Sequence, residues 1–565
     1  MRKHVLCVAV ATVLGFGAAG LAHAHPVRQV LLISVDGLHQ NDLEWFIQSH
    51  PASTLASLVS HGVEYTQALT PFPSDSFPGM VGQVTGGNPK TTGIYYDDAY
   101  SRDLLPPGTT SCVGIVPGAE VQYAENLDKD QNRLDAGQNI PGLYTSIPQS
   151  FALISQLSSN PRDLIDPTQL PVDPSTCLPV YPHQYLKVNT VFEVAHSKGL
   201  RTAWSDKHPA YEILSGPSGA GVDEFFTPEI NSSTTNPPDP PIGPGPDFTK
   251  DNINTQLYDG LKVNAVLNWI NGRDHAGNVY LGIPSIFGMN FQSISTAQKL
   301  NTSRYYDPTN PANVLSGLGG YTSDAQGNLV PGPVLRGALQ FVDASIGKMV
   351  QALDMSNTVV IVSAKHGQSP ENRADLTIIN DGAMIDALNA AWNAATGSMT
   401  DLVAHAIDDD VVLLWLNDHS QPAANFAANF LLNYSGLGVG SDAAGNSIAK
   451  AFTNAGLSQI YAGTAAADFM GVVPTDARVP DVIGIAKQGS VYAGSKLSKI
   501  AEHGGNASQD RHVALVVAGA GIGPSIVSTP VETTQIAPTI LKVLGLSPNK
   551  LQAVKVEGTN TLPGL

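Results

Sequence analysis

The chain has 565 residues, of which 42% are hydrophobic, and carries a formal charge of −18 at pH 7. Its length suits roughly two or three domains, or one large domain with insertions, and there is ample apolar material for a core. So acidic a surface argues against a nucleic-acid duplex or an anionic membrane as partner.

Met1-Arg2-Lys3-His4, an apolar run over residues 5–21 and Ala22-His23-Ala24 predict a secretory signal peptide cut after Ala24, hence a secreted or periplasmic protein. Removing the two positive charges of Arg2 and Lys3 takes the formal charge from −18 to −20. No other stretch approaches the ~18 apolar residues of a membrane span. Of three cysteines, Cys7 belongs to the leader, and Cys112 and Cys177 remain. An even count in an exported chain favours one disulfide, with a pair of buried free thiols as the alternative. The bridge would close a loop of about 65 residues and contribute ~4 kcal/mol if unstrained.

Residues 28–35 form an apolar run without alternation, as in a strand of a parallel sheet buried on both faces, and it stops at Asp36-Gly37. The C-terminal edge of such strands is where open α/β sheets place ligands. Residues 42–61 have helical spacing, broken at Pro51 and ended by Gly62. In Thr70–Gly87, Ser76 precedes Phe77-Pro78 and then small and apolar residues up to Gly86-Gly87, which predicts a short helix with Ser76 at its N-terminus. Unpaired N–H groups there would make an anion site; the plainer reading is that Ser76 only caps the helix.

Pattern weakens beyond Tyr95, so residues 101–184 read as an insertion pinned by the cysteines. Residues 185–196 read as a helix, 200–205 as a strand delivering Asp206-Lys207-His208, and 236–247 as a Pro-rich loop. A helix over 261–270 and a strand over 279–283 follow, then Phe287-Gly-Met-Asn290-Phe-Gln292. Residues 335–353 form the clearest amphipathic helix, and Thr358–Ser363 a strand ending at Ala364-Lys365-His366-Gly367. Residues 385–480, with a strand at Val411–Leu416 and a helix over 421–432, suggest a small α/β lid. His503-Gly504-Gly505, a strand over 512–518 and a helix over 535–544 complete the chain. The alternation predicts an α/β fold over residues 25–565: a doubly wound, mainly parallel sheet with helices on both faces.

Asp36, Ser76 and His366 thus fall at or just beyond strand ends, and His503 precedes a final strand. Together on one sheet edge they specify a hydrolytic metal site. The ordered set Val35-Asp36-Gly37, Ser76-Phe77-Pro78 with Val84-Thr85-Gly86-Gly87-Asn88-Pro89 and Thr92-Gly93-Ile94, His366-Gly367 and His503-Gly504 resembles the type I phosphodiesterase and nucleotide pyrophosphatase family of the alkaline phosphatase superfamily. That resemblance implies an alkaline-phosphatase-like fold and two zinc ions around a Thr or Ser nucleophile. By matching position, Asp36, Ser76 and His366 would hold one ion and His503 would help to hold the other. Ser76 would attack phosphorus in line, and a water on the second metal would release the phosphoryl group.

Three departures stand out. Where the family usually has Asp before its His-Gly, this chain has Lys365, which in its charged form cannot ligate zinc. The family's Pro-Asp…Gly-His segment corresponds to 287–292, which holds neither Asp nor His, and its frequent Asn after Phe-Pro is Gly79. Asn290, Asp206, Lys207 and His208 are the nearest substitutes, with Asn290, Asp206 and His208 expected at the substrate. Lys365 either replaces an ion's charge as a catalytic ammonium, so that one divalent ion suffices, or turns to solvent. The implied function is an exported, metal-dependent phosphoric ester hydrolase acting on a small substrate, most simply a phosphodiesterase. The alternatives are a sulfatase or phosphonate hydrolase, although Ser76-Phe-Pro-Gly-Met80 lacks the Arg of a sulfatase motif, and a binding protein that kept the fold.

Overall fold

The apolar run over residues 28–35 becomes β1, Gln29–Val35, at the centre of the molecule. In this computed structural model residues 27–143, 152–232 and 247–565 are described, so the expected leader and residues 236–246 of the Pro-rich segment lie outside them. Seven further strands join β1: β2 Val63–Tyr65, β3 Thr202–Ser205, β4 Glu224–Phe226, β5 Ile286–Phe291, β6 Thr358–Ser363, β7 Val516–Gly519 and β8 Ser525–Val527, in the order β8-β2-β7-β6-β1-β5-β3-β4. β1 lies parallel between β5 and β6, with Ile33 opposite Met289 on one side and Val362 on the other. Only β7 runs against its neighbours.

Both faces of β1 are buried. Leu31, Ile33 and Val35 enter one apolar cluster, and Val30 and Leu32 enter the other. The first is covered by α1 Gln40–Ser49, α2 Thr54–His61, α5 Asn252–Ile270 and α6 Pro333–Ala352; the second by α3 Ser76–Thr85, α4 Val191–His196 and α7 Ile536–Val543. Each fully buried Val, Leu or Ile side chain is worth about 2 kcal/mol, so cover on both faces anchors this strand firmly. No helix among the described residues is long and apolar enough to cross a membrane.

Several boundaries differ from expectation for local reasons. Residues 279–283 are not a strand: Val279, Tyr280, Leu281 and Ile283 are exposed, and the strand starts at Ile286, beyond Pro284. Over 185–196 the helix begins only at Val191, because Thr190 and Glu193 form a capping box there. The helix expected over 261–270 starts earlier, at Asn252, where the Asp251 side chain accepts the Asn254 N–H. Residues 512–518 split: His512–Val513 pairs with Ala68–Leu69, and only Val516–Gly519 enters the main sheet. Cys112 and Cys177 are joined, closing 65 residues of sequence.

Residues 377–492 carry two four-stranded sheets, one of Thr377–Ile379, Gly436–Ser441, Ser447–Phe452 and Ser490–Tyr492, the other of Val403–Asp408, Val411–Leu416, Leu457–Ala462 and Val482–Ala486. The turn between Val403–Asp408 and Val411–Leu416 touches the strand-end edge, where the Asp410 N–H donates to the His503 carbonyl at 3.0 Å.

Helix α3 approaches the end of β6 closely. Gln83 donates from Nε2 to the Ala364 carbonyl at 2.7 Å, and a Cβ at Gly79 would run into the Lys365 carbonyl. A side chain there forces the helix or the loop to move. Gly79→Ala is expected to lower unfolding free energy by about 1–3 kcal/mol, read as a shift of the urea midpoint; a midpoint equal to the parent's would contradict the close approach.

Candidate active site

Asp36 ends β1 with its side chain fully buried. Its two oxygens are already served: Asn290 donates from Nδ2 to Oδ1 at 2.7 Å, and Gln292 donates from Nε2 to Oδ2 at 2.5 Å. Burial opposes ionisation here, but the charges of Lys365 and Lys207 hold Asp36 well below the usual carboxylate range. It is an anion at neutral pH.

Ser76 is the first residue of α3, and Asp75, not Ser76, is its N-cap. The expected ring of free N–H groups is absent. Phe77 N donates to Asp75 Oδ2 at 2.9 Å, Pro78 has no N–H, and Gly79 N donates to the Asp75 carbonyl at 2.9 Å. The hydroxyl has other neighbours. Ser76 Oγ lies 3.3 Å from His366 Nε2, 3.4 Å from Asp36 Oδ2 and 3.0 Å from the Lys207 ammonium. His366 Nδ1 sits 2.9 Å from the Gly367 carbonyl, which assigns the ring proton to Nδ1 and leaves the Nε2 lone pair facing Ser76. Burial keeps the imidazole below its ordinary pKa and therefore neutral.

Lys365 does not turn to solvent. Its ammonium is fully buried, 2.8 and 3.1 Å from the Asp206 carboxylate oxygens and 2.8 Å from the Tyr211 hydroxyl. Asp206 also accepts from Trp204 Nε1 at 2.9 Å and from Lys207 N at 2.9 Å. His208 Nδ1 pairs with both oxygens of Glu229 at 2.9 Å. Asn290, besides holding Asp36, receives Gln292 Nε2 on its Oδ1 at 2.6 Å. The three residues expected at the substrate, Asn290, Asp206 and His208, thus each have protein partners.

His503 forms a second corner. Its ring centroid is 4.1 Å from that of His366, and its Nδ1 faces Asp75 Oδ1 at 3.5 Å; both atoms are buried and lack a hydrogen-bond partner. Burial, then the charge of Lys299, keep the His503 ring well below its ordinary pKa and so neutral. Burial raises Asp75 to about 6, and burial with the Glu502 charge raises Asp409 to about 7. Asp409, Glu502 and His503 offer ligand atoms within 4.8 Å of one another. Glu502 is shared with Lys299 at 2.6 Å and Lys499 at 2.5 Å.

The two corners answer differently to a divalent ion. At the His503 corner, orphaned buried nitrogen and oxygen atoms beside carboxylates suit a borderline ion such as zinc. At the Asp36 corner the donor set does not fit: both carboxylate oxygens receive amide N–H groups, and a lysine ammonium already faces Asp36 and Ser76. Sequence reasoning gave no role to Asp75, Asp409, Glu502 or Gln292. Asp75 carried a signal, as an acidic residue directly before the Ser-Phe-Pro step; the others are joined only by the fold.

His39 steadies the loop after His366: its Nε2 is 3.0 Å from the Gln368 carbonyl, and its Nδ1 is 3.0 Å from Asp42 and 2.8 Å from Tyr321. Burial pushes its pKa down, but the Asp42 hydrogen bond and charge and the Glu371 charge outweigh this and raise it from 6.5 to about 9. A raised folded value means the stabilisation is complete below pH 6.5 and lost as pH rises through about 9. Urea unfolding should show His39 contributing at most about 3 kcal/mol at acid pH and nothing well above pH 9. His39→Gln is expected to remove that part of the slope, and an unchanged pH dependence would refute it.

The chain matches the type I phosphodiesterase / nucleotide pyrophosphatase family over residues 30–111 and 183–508. None of the curated proteins matches it. Among solved structures it is similar to wild-type alkaline phosphatase PafA, with a TM-score of 0.55 at 13% identity over 93% of this chain and 97% of that one. A multiply substituted PafA gives 0.54 at 14% identity over 93% and 96%. Murine ectonucleotide pyrophosphatase/phosphodiesterase 5 gives 0.49 at 11% identity over 92% and 96%. The likeness to PafA agrees with the sheet order in showing an alkaline-phosphatase-like α/β fold. With most of its length matched, the chain belongs to the type I phosphodiesterase / nucleotide pyrophosphatase family.

Proposed function

We propose that this protein hydrolyses phosphoric esters, diesters in preference to monoesters, with Ser76 Oγ as the attacking atom. The observation that carries the reading is the buried Ser76 hydroxyl, which has a neutral imidazole nitrogen, a carboxylate and an ammonium within 3.4 Å. Family membership supplies the reaction class.

The Ser76 proton passes to His366 Nε2 as Oγ bonds to phosphorus, and the ester P–O bond to the leaving group breaks. Asp36 then stabilises the imidazolium at 3.5 Å. Water attacks phosphorus in the second step, giving up a proton to the oxyanion that departed in the first; the Oγ–P bond breaks and His366 returns its proton to Ser76. Asp75, Asp409 and His503 would hold one divalent ion, which when bound supplies Lewis acidity toward a phosphoryl oxygen, with Glu502, paired to Lys299 and Lys499, beside it. Preference for diesters follows from charge. The ammoniums of Lys207 and Lys365 are balanced by Asp36 and Asp206, so little positive charge is left over for a dianionic monoester, whereas a monoanionic diester asks for less.

The test is a panel of aryl phosphate mono- and diesters with added divalent ions. Ser76→Ala should lower kcat by about 10³-fold or more with an unchanged circular dichroism spectrum. A variant that keeps most of its turnover would sink the assignment, and a wild type inactive on every ester would favour a binding protein.

A further inference from the structure

Building on the hydrolase reading, we infer that the Lys207 ammonium is the cation that serves Ser76, so that the Asp36 corner works without a metal ion. Lys207 Nζ lies 3.0 Å from Ser76 Oγ and 3.6 Å from Asp36 Oδ2. It therefore touches the reacting atom and the carboxylate between which the family resemblance expects an ion.

Four features of the chain combine to this effect. Lys365 stands where a carboxylate ligand is expected and brings a second positive charge near the same corner, which electrostatically disfavours a divalent ion. Asn290 and Gln292 present N–H groups to Asp36, so its lone pairs are directed at amides. Lys365 itself is not the active cation, because Asp206 and Tyr211 hold its ammonium. Asp206 meanwhile accepts the Lys207 backbone N–H at 2.9 Å, so the Lys365–Asp206 pair fixes the stretch from which Lys207 extends. Lys365 is thus a positioning residue and Lys207 a catalytic one.

Lys207 keeps its charge in this setting. Burial disfavours the ammonium, but Asp36, Asp206, Asp97 and Asp75 together outweigh it and raise its pKa. It neither gives nor takes a proton in the reaction. Its hydrogen bond to Oγ strengthens as the Ser76 proton leaves for His366 Nε2 and negative charge develops on the oxygen. Among the described residues, the groups of acids and histidines spaced to hold an ion include His503 but neither Asp36 nor His366.

Two measurements decide it. Zinc content after desalting should be the same in the wild type and in Asp36→Asn, because Asp36 is not a ligand; loss of one ion per chain in Asp36→Asn would overturn the inference. This arm needs no substrate, so it stands or falls apart from the hydrolase reading. With the best diester, Lys207→Ala and Lys207→Met should each lower kcat about 100-fold with little change in KM or zinc content, and Lys207→Arg should recover part of the loss. Melting curves identify a variant that fails to fold, and Lys207→Met preserves the length of the stem. Turnover within a few-fold of wild type in a folded Lys207→Ala or Lys207→Met would overturn the role.

Discussion

A carboxylate removed entirely from water must be paired or it will not stay ionised, and the site is arranged around meeting that demand at Asp36. Two side-chain amides, an imidazole and a lysine surround it, drawn from separate parts of the chain: Asn290 and Gln292 together from the end of β5, His366 from beyond β6, Lys207 from beyond β3. All of these strands run in one direction beside β1, so their C-terminal ends converge on one edge. Parallel pairing is therefore what turns scattered positions into a charge-balanced centre.

The proposed role of Ser76 depends on how closely α3 meets that edge. Gly79 and Gln83 lock the helix against the backbone of Ala364 and Lys365, and this sets Ser76 Oγ against His366 Nε2. Asp75 has two tasks. It caps the helix through Oδ2 and leaves Oδ1 facing His503. A negative cap makes this helix end a poor phosphate cradle by itself, so in the proposed reaction recognition of phosphate rests on cations rather than on backbone N–H groups. Lys207 supplies one, and the unsatisfied atoms beside His503 suit another.

The smaller unit contributes more than cover. Its turn at Asp409 and Asp410 reaches the His503 backbone, and the Tyr96 hydroxyl donates to Asp409 at 2.8 Å. The His503 corner is consequently assembled from three segments, around residues 75, 409 and 503, which come from both the main sheet and the smaller unit.

The strand core was legible in the chain because burial on both faces leaves a continuous apolar run, as in 28–35 and Thr358–Ser363, and that pattern is local. Asp36, Ser76 and His366 could be picked out for the same reason: Asp36 and His366 come just after such runs, and Ser76 opens a Ser-Phe-Pro step with its own punctuation. The false strand at 279–283 shows the limit of this signal, since an apolar stretch next to a glycine and a proline reads alike whether it is paired or exposed. The direction of side chains lay beyond it altogether. Asp206, Lys207 and His208 are consecutive, yet Asp206 turns to Lys365, Lys207 to Ser76 and His208 to Glu229. Residue type and order determined that Asp36, Ser76 and His366 would meet on one sheet edge. Which lysine faces Ser76 was decided only by the tertiary structure, because an ammonium settles against the carboxylates that packing brings within reach, and those lie far from it in the sequence.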